Sequence, residues 1–175
     1  ENTLDALDVC IFINGFPIIT AELKNHYTGQ TVKNAIKQYQ DDRPATDPLF
    51  APRRCAVHFA VDDEQIMMCS ELKGKDSWFL PFNKGVNGGA GNPWRESKIL
   101  TEYLWQEVLT KDSLADILEN YAQVIEKEEE GKPKPVKRVI WPRYHQLDCV
   151  RRLLFETRSN PIGQRLLIQH SAGSG

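Results

Sequence analysis

The chain has 175 residues, of which 41% are hydrophobic and 26% are charged, and its formal net charge is −2. This composition is ordinary for a globular protein with one good core, and the balanced charge excludes a uniformly basic surface that would bind nucleic acid everywhere. The four cysteines include no Cys-x-x-Cys pair, which argues against a zinc site or a disulfide framework. No apolar run approaches the length of a membrane span, so we expect a cytoplasmic protein with no membrane partner.

Residues 8–24, with the sequence DVCIFINGFPIITAELK, predict a β-hairpin. Two apolar runs, residues 9–13 and 18–24, flank a tight turn over residues 14–17. This turn begins with Asn-Gly, the dipeptide that indicates a hairpin loop most strongly. A hairpin returns the end of its second strand to the start of its first, so residues at those two ends should lie side by side.

Three charged residues occupy these strand ends. Glu22 and Lys24 are two residues apart, so their side chains share one face of the strand, and Leu23 points to the other face. Asp8 stands where the first strand begins. Two carboxylates held close together repel each other, and a hard divalent cation such as Mg²⁺ relieves that repulsion. A lysine beside the cation could orient a water or stabilise charge on a phosphate, so the pattern indicates metal-dependent phosphodiester cleavage.

Two alternatives compete with this interpretation. The three residues could form a solvated strand end with a surface salt bridge. A second acidic-x-Lys sequence, Glu71-Leu72-Lys73, could carry the nuclease role instead. Its nearest upstream acids, residues 62–64, lie in the turn at the far end of the same predicted strand and should not converge with Glu71. We therefore place the metal at the first copy and interpret Glu71 and Lys73 as solvated charges.

The rest of the first half predicts a mixed α/β or α+β domain. A helix fits residues 31–42 and ends before Arg43-Pro44, because the residue before proline disfavours the helical conformation. Further strands are predicted at residues 55–61, 65–72 and 78–82. Hairpin, helix and hairpin in this order predict a mixed central sheet covered by a helix.

The second half is predicted to be largely helical. A glycine-rich stretch, residues 83–93, lacks the Lys-Ser/Thr of a phosphate-binding loop and is interpreted as a flexible boundary loop. Apolar residues recur at helical spacing over residues 96–109 and again over residues 112–129. Residues 132–138, KPKPVKR, predict a basic, proline-containing linker.

The last segment predicts a helix over residues 143–158 and a short strand over residues 165–169, followed by HSAGSG. A strand that runs into Gly-x-Gly is how a Walker A loop begins, because glycines let backbone N–H groups approach phosphates. The lysine and Ser/Thr that complete the motif would be the next two residues. A glycine-rich tail is the alternative. The absence of an initiating Met and the incomplete motif lead us to expect a piece of a larger protein.

These motifs together resemble the restriction (motor) subunit of type I restriction-modification enzymes. Residues 8–25 resemble the nuclease strands of the PD-(D/E)xK superfamily, whose pattern is Asp-x(n)-Glu-x-Lys. The sequences FLPFNKGVNGGAGNP and WPRYHQLDCVRRLL, with the final LLIQHSAGSG, resemble the boundary loop and the entrance of a superfamily 2 helicase motor. The resemblance implies a restriction-endonuclease-like core over residues 1–93, a helical extension over 94–131, a linker, and the start of a RecA-like motor over 139–175.

The resemblance also implies roles for individual nuclease residues. Asp8 and Glu22 would bind Mg²⁺ with the Leu23 carbonyl as a third ligand, and Lys24 would be the catalytic lysine. The family carries a Gln-x-x-x-Tyr element on the following helix. Tyr39 matches the tyrosine, but the glutamine position holds Ala35. Tyr39 is therefore expected to be either a site residue or a core aromatic.

For the motor, the resemblance implies that Arg143 and Gln146 grip the adenine of ATP, since an amide can pair with both a donor and an acceptor. Gly173, Ser174 and Gly175 would begin the phosphate-binding loop. Because the Walker lysine is absent from the sequence, we expect this chain alone to have no ATPase activity.

The expected function is that of a Mg²⁺-dependent endonuclease joined to an ATP-driven DNA translocase of a bacterial or archaeal cytoplasm. Its partners would be double-stranded DNA and the methyltransferase and specificity subunits of the same complex, and it would cut away from the recognition site. Two further hypotheses remain open at this point. The domain could be an inactive module that docks the motor onto DNA or other subunits, or a nuclease-helicase of another defence or repair system.

Overall fold

A computed structural model describes residues 6–128, 131, 133–160 and 162–170. A five-stranded sheet forms its centre, with the strand order β1-β2-β3-β4-β5. Its strands are β1 (Val9–Ile13), β2 (Phe16–Leu23), β3 (Val57–Val61), β4 (Ile66–Cys69) and β5 (Leu80–Pro81). β2 and β3 are parallel, whereas the other neighbouring pairs are antiparallel. The predicted mixed sheet is thus confirmed.

The β1–β2 hairpin forms as its turn sequence predicts. Ile13 pairs with Phe16, so the loop is the two residues Asn14 and Gly15, and both have positive φ angles, 50° and 82°. Asn and Gly tolerate this left-handed conformation, which gives the loop the same hand as the strand twist. The pairing shifts register by one residue after Ile11, beside Pro17. Such an irregularity accommodates a proline, which has no N–H to offer the ladder.

The parallel pair is joined by a crossover helix, α1 (Val32–Asp41). The buried face of α1 carries Val32, Ala35 and Tyr39, and it packs on β2 and β3. Asp62, in the turn after β3, caps the helix because its carboxylate accepts the backbone N–H of Val32 at 2.7 Å. This helix places its C-terminal end over the sheet near the end of β2.

The other face of the sheet is covered by the second half of the chain. Its elements are a π-helical turn (Leu104–Val108), α2 (Lys111–Asn120), the hairpin strands β6 (Gln123–Lys127) and β7 (Val136–Ile140), and α3 (Tyr144–Ser159). The main hydrophobic core lies between this layer and the sheet. In this core, Ile19 and Phe59 of the sheet pack in one cluster with Tyr103, Ile117 and Trp141 of the second half. The sheet and the second half therefore share one hydrophobic core.

Four predictions for the second half are wrong in whole or in part. The helix predicted over residues 96–109 is a series of turns with one π-helical turn, and the helix predicted to reach residue 129 ends at Asn120. Residues 123–127 instead pair with 136–140, which include part of the predicted linker. The strand predicted over residues 165–169 does not form, since this segment is exposed and pairs with no strand among residues 6–128 and 133–160.

Within the described ranges, no helix combines the length and the apolar character needed to cross a membrane.

Candidate active site

The hairpin brings Asp8 and Glu22 together. Val9 pairs with Ala21 in the antiparallel ladder, which puts Asp8 opposite Glu22 at the open end of the hairpin. The carboxylate of Asp8 accepts the backbone N–H of Leu23 at 2.8 Å. This bond fixes Asp8 against the end of β2, so the convergence predicted from the hairpin is present in the structure.

Glu22 is fully buried, which is unusual for a carboxylate. Its Oε1 atom accepts a hydrogen bond from Nε of Arg43 at 2.9 Å and forms an ion pair with Nη2 of the same residue at 2.8 Å. Arg43 follows α1 and is itself only 4% exposed. The ion pair therefore lies between the sheet and the end of the crossover helix, sheltered from solvent.

The second oxygen of Glu22 is the most distinctive atom of the site. Oε2 is buried and finds no hydrogen-bond donor among the residues that the structure describes. A buried acceptor without a partner costs about 1–3 kcal/mol. Burial raises the pKa of Glu22 to about 7, while Arg43 lowers this pKa and the neighbouring Asp8 raises it again. Two carboxylates thus face one another with one oxygen unsatisfied, an arrangement that a cation would stabilise.

Lys24 and the Leu23 carbonyl follow Glu22 directly in the chain. Lys24 continues the parallel ladder by donating its backbone N–H to Val61 O at 2.8 Å, so the chain is still extended here. Its side chain consequently leaves the backbone on the same face as that of Glu22. The N–H and C=O of one residue in an extended strand point to the same side. Because the N–H of Leu23 points to Asp8, its carbonyl points to that side as well.

Tyr39 lies on the same face of the sheet, completely buried. Its hydroxyl is 2.8 Å from Thr20 Oγ1, which is also 2.7 Å from His58 Nδ1. Burial lowers the pKa of His58 to about 4, which keeps the imidazole neutral. Tyr39 is therefore a core aromatic with a satisfied hydroxyl, and Thr20, two residues before Glu22, connects it to the strand that carries the carboxylate.

The second acidic-x-Lys sequence lies elsewhere and has a different environment. Glu71 and Lys73 follow β4 and pair with each other at 3.2 Å, with side chains that are 26% and 44% exposed. The acids of residues 62–64 lie at the opposite end of β4. The prediction that Glu71 and Lys73 are solvated charges at a strand end is thus confirmed.

Residues 1–77 match the family model of the type I restriction enzyme R protein N terminus. Over these residues, which are less than half of the chain, the protein is similar to that family. No curated protein and no solved structure matches the chain.

The matched residues include Asp8, Glu22 and Arg43 together with α1. No cluster of three or more His, Cys, Asp or Glu side chains suited to a metal occurs in the described ranges. The donor set here is smaller, namely two carboxylates and one backbone carbonyl. This set fits Mg²⁺, which is typically held by one or two carboxylates while it keeps several waters.

The predicted ATP-binding residues are only partly within the described chain. Arg143 and Gln146 line one cavity of about 440 Å³ together with Trp78 and Trp141. The side-chain oxygen of Gln146 accepts the backbone N–H of Arg143 at 3.0 Å, which caps the start of α3. Gly173, Ser174 and Gly175 fall outside the residues that the structure describes.

The sequence predicts no site role for Arg43, which binds Glu22, and no capping role for Asp62, which caps α1. Arg43 is noticed in the sequence only as the residue before a proline that ends a helix. Asp62 was assigned to a turn, and its carboxylate does accept the N–H groups of Glu64 and Gln65 there. The sequence signal for Asp62 was the turn itself, whereas the partner of Arg43 is 21 residues away and has no local signal.

Proposed function

We propose that the R protein region of this chain is a Mg²⁺-dependent endonuclease domain of the PD-(D/E)xK type, which cuts double-stranded DNA. The observation that carries the proposal is the pair of converging carboxylates, Asp8 and Glu22, with the buried and unpartnered Oε2 of Glu22. The family supports a restriction enzyme, and the pair of carboxylates supports metal-assisted hydrolysis as its chemistry.

Each residue of the site has a role that suits its position. Asp8, Glu22 and the Leu23 carbonyl would hold the cation, and Arg43 keeps Glu22 in place through its other oxygen. When bound, Mg²⁺ would lower the pKa of a coordinated water and offset charge on the phosphate. Lys24 would orient the attacking water or stabilise negative charge on the phosphate, since it lies on the same face as Glu22.

Tyr39 supports the site from the core. Its hydroxyl bonds to Thr20, and Thr20 and Glu22 are alternate residues of β2. This contact fixes β2 on the face of the sheet that carries the Glu22 side chain. We assign Tyr39 a positioning role here, although the family element suggested a catalytic one.

We also propose that this domain works within a larger ATP-driven restriction complex in the cytoplasm. Arg143 and Gln146 would contact adenine from the cavity at the start of α3, and residues 173–175 would begin the phosphate-binding loop. Double-stranded DNA and the methyltransferase and specificity subunits of that complex would be the partners. The DNA would then be cut away from the recognition site when translocation stalls.

Plasmid nicking tests the proposed nuclease. A complete R protein that carries this sequence is incubated with its complex, supercoiled DNA, ATP and Mg²⁺, and Lys24→Ala is compared with Lys111→Ala. Lys111 is an exposed lysine at the start of α2. We expect Lys24→Ala to lower the nicking rate by at least about 100-fold, as loss of a group that stabilises transition-state charge does. Lys111→Ala should nick like the wild type.

Two results would contradict this proposal. If Lys24→Ala nicks at the wild-type rate, the lysine has no catalytic role and the site is not a PD-(D/E)xK nuclease. If the wild type never nicks but the complex still assembles on DNA, the domain is a docking module for DNA or for other subunits.

A further inference from the structure

Arg43 contacts Glu22 in an asymmetric way. Its Nε and Nη2 atoms both approach the same carboxylate oxygen, Oε1, at 2.9 and 2.8 Å. Arg43 Nη2 also donates to the carbonyl of Ala6 at 2.7 Å, and Nη1 is 3.4 Å from the carbonyl of Asp42. One guanidinium thereby joins the Glu22 side chain to the segment that leads into Asp8.

An arginine usually binds a carboxylate as a fork, with one N–H group on each oxygen. Here both contacts converge on Oε1, and Oε2 receives no donor from the rest of the described chain. The buried position makes this costly, because an unsatisfied buried oxygen loses its hydration without compensation. A cation bound to Oε2 would explain why no donor of the described chain contacts this buried oxygen.

We propose that Arg43 is a positioning residue that makes Glu22 a one-oxygen ligand and so selects a small six-coordinate cation over Ca²⁺. This inference rests on the proposed metal site. Mg²⁺ and Mn²⁺ suit octahedral sites with single carboxylate oxygens, whereas Ca²⁺ takes more ligands and often binds both oxygens of a carboxylate. Since Arg43 occupies Oε1, two-oxygen binding by Glu22 is blocked.

The bond to Ala6 extends the same effect to the other carboxylate. Asp8 lies two residues after Ala6 and is held by Leu23 on its other side. Arg43 therefore limits the movement of both carboxylates relative to each other. A rigid pair of this kind favours a cation with strict geometry, because flexible sites are the ones that accommodate Ca²⁺.

Separate titrations with two cations test the inference without any cleavage assay. The 175-residue chain is titrated with Mn²⁺ alone and with Ca²⁺ alone, by calorimetry and by electron paramagnetic resonance of Mn²⁺, in wild type, Arg43→Met and Arg43→Lys. We expect Arg43→Met to raise the affinity for Ca²⁺ relative to Mn²⁺ by about tenfold, a size typical of outer contacts to a metal ligand. Arg43→Lys keeps the positive charge but lacks the planar guanidinium. Its ratio of Ca²⁺ affinity to Mn²⁺ affinity should lie between those of the wild type and Arg43→Met.

Arg151→Met is the matched control. Arg151 also directs two nitrogens to a single carboxylate oxygen, that of Asp116, at 3.2 and 2.8 Å on the surface of the second half. This variant should leave the Ca²⁺ to Mn²⁺ ratio unchanged. Circular dichroism checks folding, and if Arg43→Met does not fold, Arg43→Lys decides the question.

The possible failures are distinguishable. An unchanged ratio in folded Arg43→Lys, with normal Mn²⁺ binding by the wild type, overturns the positioning role alone. If the wild type binds neither cation, the proposed metal site fails and this inference fails with it. A purely structural role for Arg43 would lower both affinities equally and leave their ratio unchanged, which also overturns the inference.

Discussion

The tripeptide Glu-Leu-Lys occurs twice in this chain, and its two copies have opposite environments. Glu22 of the first copy is fully buried, pairs with Arg43 and faces Asp8 across the hairpin. Glu71 of the second copy follows β4 and pairs with its own neighbour Lys73 near solvent. The same three residues are thus a candidate metal site in one place and an ordinary surface pair in the other.

The difference comes from elements that are distant in sequence. The first copy ends a strand that lies inside the sheet, between β1 and β3, with α1 above it. Two of these neighbours each contribute one feature, namely Asp8 from the approach to β1 and Arg43 from the end of α1. In the second copy, Glu71 and Lys73 pair with each other on the wall of the cavity that Arg143 and Gln146 also line, and both side chains are partly exposed. Tertiary placement, and not the tripeptide, decides the chemistry.

Removing the cationic partner of each glutamate should change the free energy of unfolding more in the first Glu-Leu-Lys copy than in the second, and this is the largest difference that we expect between them. Arg43→Ala removes the hydrogen bonds to Glu22 and to the Ala6 carbonyl. Because the pKa of Glu22 is about 7 even beside Arg43, Glu22 takes up a proton without it, and we expect the free energy of unfolding to fall by about 1–3 kcal/mol for the buried acceptors left unpaired. Lys73→Ala breaks an exposed pair and should change it by less than about 1 kcal/mol. Urea denaturation at pH 7 without divalent cations measures both.

Similar losses of unfolding free energy in Arg43→Ala and Lys73→Ala would contradict the proposed difference between the two copies. A loss below about 1 kcal/mol in Arg43→Ala would mean that Glu22 Oε1 and the Ala6 carbonyl reach solvent once Arg43 is removed, because only buried acceptors without a partner carry the larger penalty.

The pH dependence of stability should sharpen the comparison further, because the buried face holds two shifted groups of opposite sign. The pKa of Glu22 is raised to about 7, so below that pH the folded state takes up a proton before the unfolded state does, and acidification stabilises the fold. The pKa of His58 is lowered to about 4, so the unfolded state is protonated first, and acidification destabilises the fold. Tyr39 faces His58 through Thr20 and stays neutral over this range.

These two effects nearly cancel between pH 6.5 and 4.5 in the wild type. Glu22→Gln removes only the stabilising one, so its unfolding free energy should fall relative to the wild type by about 2 kcal/mol across this interval. Glu71→Gln is the control and should follow the wild type. Urea denaturation at the two pH values, with a chelator present, gives the comparison. Parallel curves for Glu22→Gln and the wild type would show that Glu22 has an ordinary pKa.

The first half of the fold was largely predictable from its sequence. The Asn14-Gly15 turn specifies the hairpin, strand alternation places Glu22 and Lys24 on one face, and apolar spacing identifies α1 to within one residue at each end. Each of these signals is local. The meeting of Asp8 with Glu22 followed from them, because a hairpin has only one way to close.

The rest depended on contacts that no local pattern encodes. Residues 121–127 carry apolar positions that suit a helix, but residues 123–127 pair with residues 136–140 across a loop, and this pairing makes them a strand. Arg43 similarly gains its role from a partner in β2 and not from its neighbours. Sequence periodicity reports which face of an element is buried, but it does not report which distant element buries that face.

Binding of Mn²⁺ to the 175-residue chain tests the central claim most directly, because it measures the site itself. Wild type and Glu71→Gln should each bind one ion at the Asp8–Glu22 pair, and their affinities should agree. Asp8→Asn and Glu22→Gln should weaken that binding by at least about tenfold, since each removes a ligand charge. If Glu22→Gln binds Mn²⁺ as tightly as the wild type, or if Glu71→Gln loses binding to the same extent, the first Glu-Leu-Lys is not a metal site.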